Sequence, residues 1–163
     1  MSKFLGGDLG NTGGLAIVEV NDDAAPRLVD AIDIPTIGVK AKERVDVIAV
    51  RKWIEAHKPD HAALERGQAF PKQGASSGFK YGRAVGALEA TVTLLEIPLT
   101  IVEPTAWKKF HNLLGNRGDK EASRQRALQL FPSRHDLLAL KKRHGVAEAA
   151  LIALFAASRG DTP

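Results

Sequence analysis

Lys3-Phe-Leu-Gly-Gly-Asp-Leu-Gly-Asn-Thr-Gly-Gly-Leu-Ala-Ile-Val-Glu-Val20 places two apolar runs on either side of a glycine-rich turn. Residues 3–8 read as a short strand that ends on an acid, Asp8. Gly10-Asn-Thr-Gly-Gly14 is turn chemistry, because Gly and Asn tolerate positive φ. Leu15 to Val20 is a second strand, rich in β-branched residues. A further turn, Asn21-Asp-Asp-Ala-Ala-Pro26, leads to a third strand from Arg27 to Ile34. There Leu28, Ile32 and Ile34 are expected on one face and Asp33 on the other. The three runs predict an antiparallel meander.

Beyond the meander the period changes. Pro35 to Lys42 reads as a connection into a helix of about fifteen residues, with Val47, Val50, Ile54 and neighbouring Trp53 on its apolar side. Pro59 ends that region, and His61 to Glu65 is a fourth, short strand that again ends on an acid. Residues 66–76 form a loop, followed by a helix from about Ser77 to Leu95 and a fifth strand, Pro98 to Val102. Pro104 starts a short helix, and Asp119 is a plausible N-cap for a helix reaching Leu130. Residues 133–143 are a basic connection, and the last helix carries His144 and Glu148. The expectation is one domain over residues 1–163. Its fold class is α/β, with a mixed sheet of about five strands, three antiparallel and then two parallel, flanked by helices.

Composition narrows the function classes. With 163 residues and 44% hydrophobic side chains the chain can bury a real core. It has no cysteine, which excludes disulfides and thiolate metal sites. The first residues lack the long apolar segment of a signal peptide. The apolar run around Glu148 is too short, and too charged, to span a bilayer. The net charge of +4 is uneven: residues 1–64 hold 8 Lys and Arg against 10 Asp and Glu, whereas residues 65–163 hold 15 against 9. A polyanionic partner is favoured for the second part, and nucleic acid is the commonest one.

Glu148 lies within Val146-Ala-Glu-Ala-Ala-Leu-Ile-Ala-Leu-Phe-Ala-Ala157, where a carboxylate is expected to be at least half-buried. Buried charges are normally paired or metal-bound. His144 stands one helical turn earlier, and positions i and i+4 share a helix face. Asp8 and Glu65 close two strands. Taken singly, Asp8 is a turn residue, Glu65 a solvated strand end, His144 a helix start, and Glu148 a salt-bridge partner for Arg143 or Arg159. Together, four potential ligands from three distant segments point to a metal-dependent site.

The same segments resemble RuvC-type Holliday-junction resolvases of the ribonuclease-H-like nuclease superfamily, including the short phage and prophage forms. The resemblance rests on Gly7-Asp-Leu-Gly-Asn-Thr-Gly-Gly-Leu-Ala16, Leu64-Glu-Arg-Gly-Gln-Ala-Phe70 with Gly82-Arg-Ala-Val-Gly86, Val102-Glu-Pro-Thr-Ala-Trp-Lys108 with Asp119-Lys120, and His144 to Ala153. It implies that Asp8, Glu65, His144 and Glu148 are the catalytic metal ligands. It also implies an endonuclease that resolves four-way DNA junctions as a homodimer, in the cytoplasm of a bacterial or phage-infected cell. His144 stands where many members have aspartate, and Glu148 also replaces a common aspartate. Two divalent cations suit phosphodiester hydrolysis. Mg²⁺ prefers oxygen ligands, and a histidine ligand would let Mn²⁺ serve as well.

Cations flank each ligand segment, as a phosphate backbone requires. They are Lys72, Lys80 and Arg83 after Glu65, and Lys108, Lys109, Arg117, Lys120 and Arg124 after the fifth strand. Lys141, Lys142 and Arg143 precede His144. Lys108 and Lys120 most resemble the family's strand-binding lysines. Phe79, which is carried as a DNA contact, is with Phe70 and Tyr81 a candidate for stacking on an opened base; core packing is the alternative. Gln68 occupies the position nearest in spacing to the family's stacking residue. Gly78, Gly82 and Gly86 recur every four residues on one helix, which implies close approach of another backbone. The resemblance assigns that stripe to the dimer interface; packing on the chain's own sheet is the alternative. Rival functions are a nuclease of the same fold for flaps, forks or RNA–DNA hybrids, and a catalytically silent DNA-binding module.

Overall fold

The computed structural model describes residues 1–9, 13–39, 43–68, 74–115, 120–139 and 141–160, the side chains of Lys120 and Lys141 excepted. The elements follow the expected order. Strands β1 (Ser2–Asp8), β2 (Gly14–Asn21) and β3 (Ala24–Asp33) form the antiparallel meander. Two short strands, β4 (Thr36–Ile37) and β5 (Arg44–Val45), then pair with each other where a plain connection is expected. Helix α1 (Val47–His57) is shorter than its apolar pattern predicts. Asp46 starts it by accepting the Ala49 N–H, and Lys58 ends it in the left-handed conformation. Strand β6 (His61–Glu65), helix α2 (Ala75–Leu94) and strand β7 (Leu99–Val102) complete the sheet. Helices α3 (Pro104–Phe110), α4 (Lys120–Leu130), α5 (His135–Leu138) and α6 (His144–Ser158) follow.

The sheet order is β3-β2-β1-β6-β7, with β6 parallel to β1 and β7 parallel to β6. This is the predicted mixed five-stranded α/β fold. One face buries Phe4, Ala16, Val18, Ala63 and Val102 against α3, α4, α5 and α6. The other buries Leu5, Leu15, Ile17, Ala62 and Leu64 against α1 and α2. Helix α6 is apolar all round because the sheet lies on one side of it and helices on the other. Among the described residues no helix is long and apolar enough to cross a membrane.

One facing prediction fails for a local reason. Leu28 joins the α6 side of the sheet, whereas Ile32 and Ile34 join the other. Asp30 pairs with Ile17 and Leu28 pairs with Val18, so Val29 is an extra residue in the ladder. A bulge of one residue reverses the alternation beyond it. Arg134 caps the bulge, donating to the carbonyls of Leu28, at 3.1 Å, and Val29.

Candidate active site

The register of β1 and β6 brings the first two acids together. Gly7 lies opposite Leu64 in the parallel pair, so Asp8 and Glu65 follow side by side where both strands end. Ligand sites in open α/β sheets favour such carboxyl ends. Alternation then sets their direction. A Cβ on Gly6 would strike the Ala149 carbonyl of α6 at 2.0 Å, so Asp8, two residues on, faces α6 as well.

Helix α6 is held at the same end. Gly13 bridges Gly145, and a Cβ on Gly14 would lie 2.5 Å from the Val146 nitrogen. Gly14 in turn pairs with Asp8. Glycine is therefore required at positions 6 and 14 by close approach to a helix backbone, not by turn geometry. His144 begins α6 beside this contact, and Glu148 follows one turn later; both are half-buried, while Asp8 is buried.

Two donors fix the glutamates. The indole N–H of fully buried Trp107 on α3 donates to Glu65 Oε2 at 2.7 Å. Ser123 Oγ on α4 donates to Glu148 Oε1 at 3.0 Å. The Glu65 carboxyl is held above its ordinary pKa, first by burial and also by the charge of Glu148; the Trp107 hydrogen bond and the Lys108 ammonium oppose this. The Tyr81 hydroxyl on α2 is pushed up as well, by burial and by the charges of Glu65 and Asp8, against a hydrogen bond from the Gln68 backbone N–H. Asp8, Glu65, Glu148 and Tyr81 thus share one electrostatic neighbourhood. Among the described residues no group of three or more His, Asp or Glu is set closely enough to hold a single ion.

The predicted cations divide. Lys80, Arg83, Lys109 and Lys142 are exposed, and half-exposed Lys108 lies 5.1 Å over the Trp107 ring. Arg83 also packs 5.8 Å over the ring of Phe79. Arg124 corrects the prediction. It is buried, pairs with Glu121, and donates to the carbonyls of Leu138 (3.3 Å) and Ala139 (2.9 Å), so its donors are spent inside the fold. Arg143 is likewise turned to β3, donating to the Ala31 carbonyl at 3.2 Å beside Asp33 at 3.5 Å. Lys72 and Arg117, and the side chains of Lys120 and Lys141, lie outside the described residues, as does Phe70. Among the described residues a Cβ on Gly82 or Gly86 would meet nothing within 4 Å, so at those two positions the stripe does not pack on the chain's own described sheet; Gly78 is half-buried near the N-terminal end of α2.

Sequence reasoning assigned no role to Trp107 or Ser123, and considered Tyr81 only for stacking. A signal existed for Trp107: a buried indole N–H needs an acceptor, and Glu65 is a carboxylate at a strand end. Ser123 carries no comparable signal.

No protein-family model matches the sequence, and no curated protein does. Solved structures do match. RuvC of Thermus thermophilus, in complex with Holliday junction substrate, is 22% identical with a TM-score of 0.68, over 97% of this chain and 96% of that one. The fowlpox virus resolvase in its complex with substrate Holliday junction DNA is 14% identical with a TM-score of 0.60, over 98% and 99%. The yeast mitochondrial Holliday junction resolvase Ydc2 is 16% identical with a TM-score of 0.59, over 94% and 78%. Over nearly its whole length, this chain has the fold of these resolvases.

Proposed function

We propose that the protein is a divalent-metal-dependent endonuclease that resolves four-way DNA junctions as a homodimer. The observation that supports this reading is that Asp8 and Glu65 end adjacent parallel strands while Glu148 on α6 acts electrostatically on Glu65. The two junction-bound structures of the same fold support the choice of DNA substrate.

The donor set fits Mg²⁺. Its acids offer oxygen ligands only, and Mg²⁺ is ordinarily held by one or two carboxylates with water and substrate phosphate, not by a closed protein cage. Asp8, Glu65 and Glu148 would hold the ions, and His144 would add a ligand or orient the attacking water. Bound there, such ions supply an activated water and charge stabilisation of the leaving oxygen.

The chain's own groups prepare the site. Trp107 and Ser123 fix the carboxylate orientations. Lys108 offsets the negative charge beside Glu65 and is available to a phosphate. Burial and the charges of Glu65 and Asp8 keep the Tyr81 hydroxyl protonated beside the acids. Lys80, Lys109 and Lys142 are exposed for backbone contacts. Gly82 and Gly86, exposed and with room for a Cβ among the described residues, give α2 a face for a second copy.

The test is cleavage of a synthetic four-way junction beside a flap and an RNA–DNA hybrid, with Mg²⁺ or Mn²⁺. Symmetric nicking of the junction is expected, and Asp8→Asn should abolish cutting while junction binding survives. Preferential cutting of the flap or hybrid would make this another nuclease of the same fold. Binding without cleavage under either metal would make it a silent DNA-binding module.

A further inference from the structure

Helix α3 is tied down at two points one turn apart. Its start follows β7 directly, and Val102 at the end of β7 lies opposite Glu65 in the ladder. From this start Trp107 donates to Glu65. Four residues on, His111 caps the helix, its backbone N–H donating to the Trp107 carbonyl at 3.1 Å. Asn112 then turns the chain in the left-handed conformation. Positions i and i+4 share a helix face, so Trp107 and His111 point to the same side. His111 is 2% exposed, and its Nε2 lies 2.9 Å from the Leu151 carbonyl oxygen of α6. Leu151 stands three residues after Glu148 on that helix.

The contact is directional. A carbonyl oxygen only accepts, so His111 carries a proton on Nε2. Burial holds the imidazole below its ordinary pKa against the pull of the Leu151 carbonyl, and the charge of Arg126 adds to burial, so the ring is neutral at neutral pH. Inside a helix a carbonyl already accepts from the N–H four residues on. Leu151 therefore needs no second donor. A leucine at position 111 would fill the site without burying a polar ring. What the histidine adds is a fixed direction and distance between α3 and α6. Ring contacts support the same joint. His111 stands edge-on to Trp107, centroids 6.5 Å apart, and to Phe110 at 4.8 Å, while Phe110 stands edge-on to Phe155 of α6 at 5.5 Å.

We propose that His111 is a positioning residue for the site: by holding the end of α3 on α6 it keeps the Trp107 indole on Glu65, and so fixes where the Glu65 carboxylate stands relative to Glu148. Its own bond goes to the Leu151 carbonyl, so it acts on Glu65 through Trp107. This role rests on the metal-nuclease reading and goes beyond it. Two carboxylates on separate elements, β6 and α6, serve one site only while their separation is held, to within about 0.5 Å. Ser123 fixes Glu148 from α4, and close contact at Gly6 seats α6 on β1. His111 supplies the remaining link, through α3, that ties Glu65 to the same helix.

The experiment compares the full-length parent with His111→Leu, which fills the site and removes the donor, and with His111→Gln, whose amide N–H can reach the same carbonyl. The readouts are Tm, solvent exchange of the Trp107 indole N–H by NMR, and Mn²⁺ binding without DNA by electron paramagnetic resonance. His111→Leu should melt at or above the parent, because an apolar side chain replaces a buried imidazole. It should nonetheless show faster indole exchange and about tenfold weaker Mn²⁺ binding, the low end of the loss usual for a supporting partner. His111→Gln should restore both. Parental indole exchange and Mn²⁺ affinity in His111→Leu, whatever its Tm, would overturn the assignment. So would a parent whose neutral His111 carries its proton on Nδ1, read from the long-range ¹H–¹⁵N spectrum, which needs no variant. Either result on a protein that cuts junctions leaves the nuclease reading standing. A parent that binds Mn²⁺ and shows the expected His111 response but cuts no DNA would overturn the nuclease reading alone. A parent that binds no Mn²⁺ would overturn both.

Discussion

Adding one methyl group at Gly6 tests whether the site depends on the direct seating of α6 on β1. A Cβ there would lie 2.0 Å from the Ala149 carbonyl oxygen and 2.6 Å from the Ala153 nitrogen. Both are backbone atoms, so no change of rotamer relieves the clash. Bringing 2.0 Å to the 3.4 Å of ordinary contact needs α6 to retreat by about 1.4 Å. Overpacking of this kind costs typically about 1–3 kcal/mol, and a backbone clash belongs at the upper end. For a chain of this size each kcal/mol lowers Tm by about 2–4 °C, so a fall of roughly 6–12 °C is expected for Gly6→Ala. The same retreat draws Glu148 and His144 away from Asp8, and a misplacement of about 1 Å can cost on the order of a hundredfold in rate. Thermal melts and single-turnover junction cleavage, the latter well below the variant's Tm, measure the two effects. Gly115→Ala is the control, since its Cβ would meet none of the described residues within 4 Å. A Gly6→Ala protein that melts with the parent would refute the seating. One that melts low but cuts at the parental rate would refute its link to the site.

Glu65 gives a pH prediction. Its folded pKa is raised above the ordinary 4.5, first by burial. The stability associated with its protonated form is therefore fully present below 4.5 and is lost as pH climbs through the raised folded value. Glu65→Gln should raise the Tm of the metal-free protein at neutral pH and flatten its decline across that window, while abolishing cleavage; a neutral-pH Tm below the parent's would count against this account. Trp107→Phe removes the donor to Glu65, and losing such a supporting partner typically costs about 10–100-fold in metal affinity or activity. A Mg²⁺ titration of cleavage should shift accordingly, and an unmoved midpoint and rate would sink the assignment. Gly82→Leu should weaken self-association in sedimentation equilibrium without lowering the monomer's Tm, because nothing lies within reach of that Cβ. An intact dimer would place the partner face elsewhere.

Much of this arrangement was legible because it is written in periods and turns. The meander follows from β-branched runs broken by Gly and Asn, and the strand-end positions of Asp8 and Glu65 follow from where those runs stop. The apolar stretch around Glu148 predicts a carboxylate at least half-buried, and Glu148 is half-buried on a helix whose apolar residues are nearly all buried. What escaped depends on contacts between distant segments. The pairing of Thr36 with Val45 and of Ile37 with Arg44 leaves no period in so short a run. The bulge at Val29 is marked by no glycine, and only the partner strand reveals it. The donors to Glu65 and Glu148 come from α3 and α4, 42 and 25 residues away in the chain, and spacing alone cannot pair them.

The basic excess shows why charge counting overstates a binding surface. Three buried or half-buried arginines are spent on carbonyl groups, Arg134 on Leu28 and Val29, Arg143 on Ala31, and Arg124 on Leu138 and Ala139, and exposed Arg83 donates to the Glu43 carbonyl. A planar guanidinium with five donors suits this role, satisfying the outer carbonyls of edge strand β3 and a break between helices. Lysine, a compact and strongly hydrated charge, suits a mobile phosphate contact better than a fixed carbonyl fork. In this chain Lys80, Lys109 and Lys142 are exposed, and Lys108 lies beside Glu65. Charge reversal should therefore separate the two groups. Lys80→Glu or Lys142→Glu should weaken DNA binding and flatten its salt dependence with little change in Tm. Arg134→Glu should lower Tm while leaving the salt slope of the folded protein as it was. The opposite assignment of effects would show that the arginine forks, not the lysines, meet the phosphates.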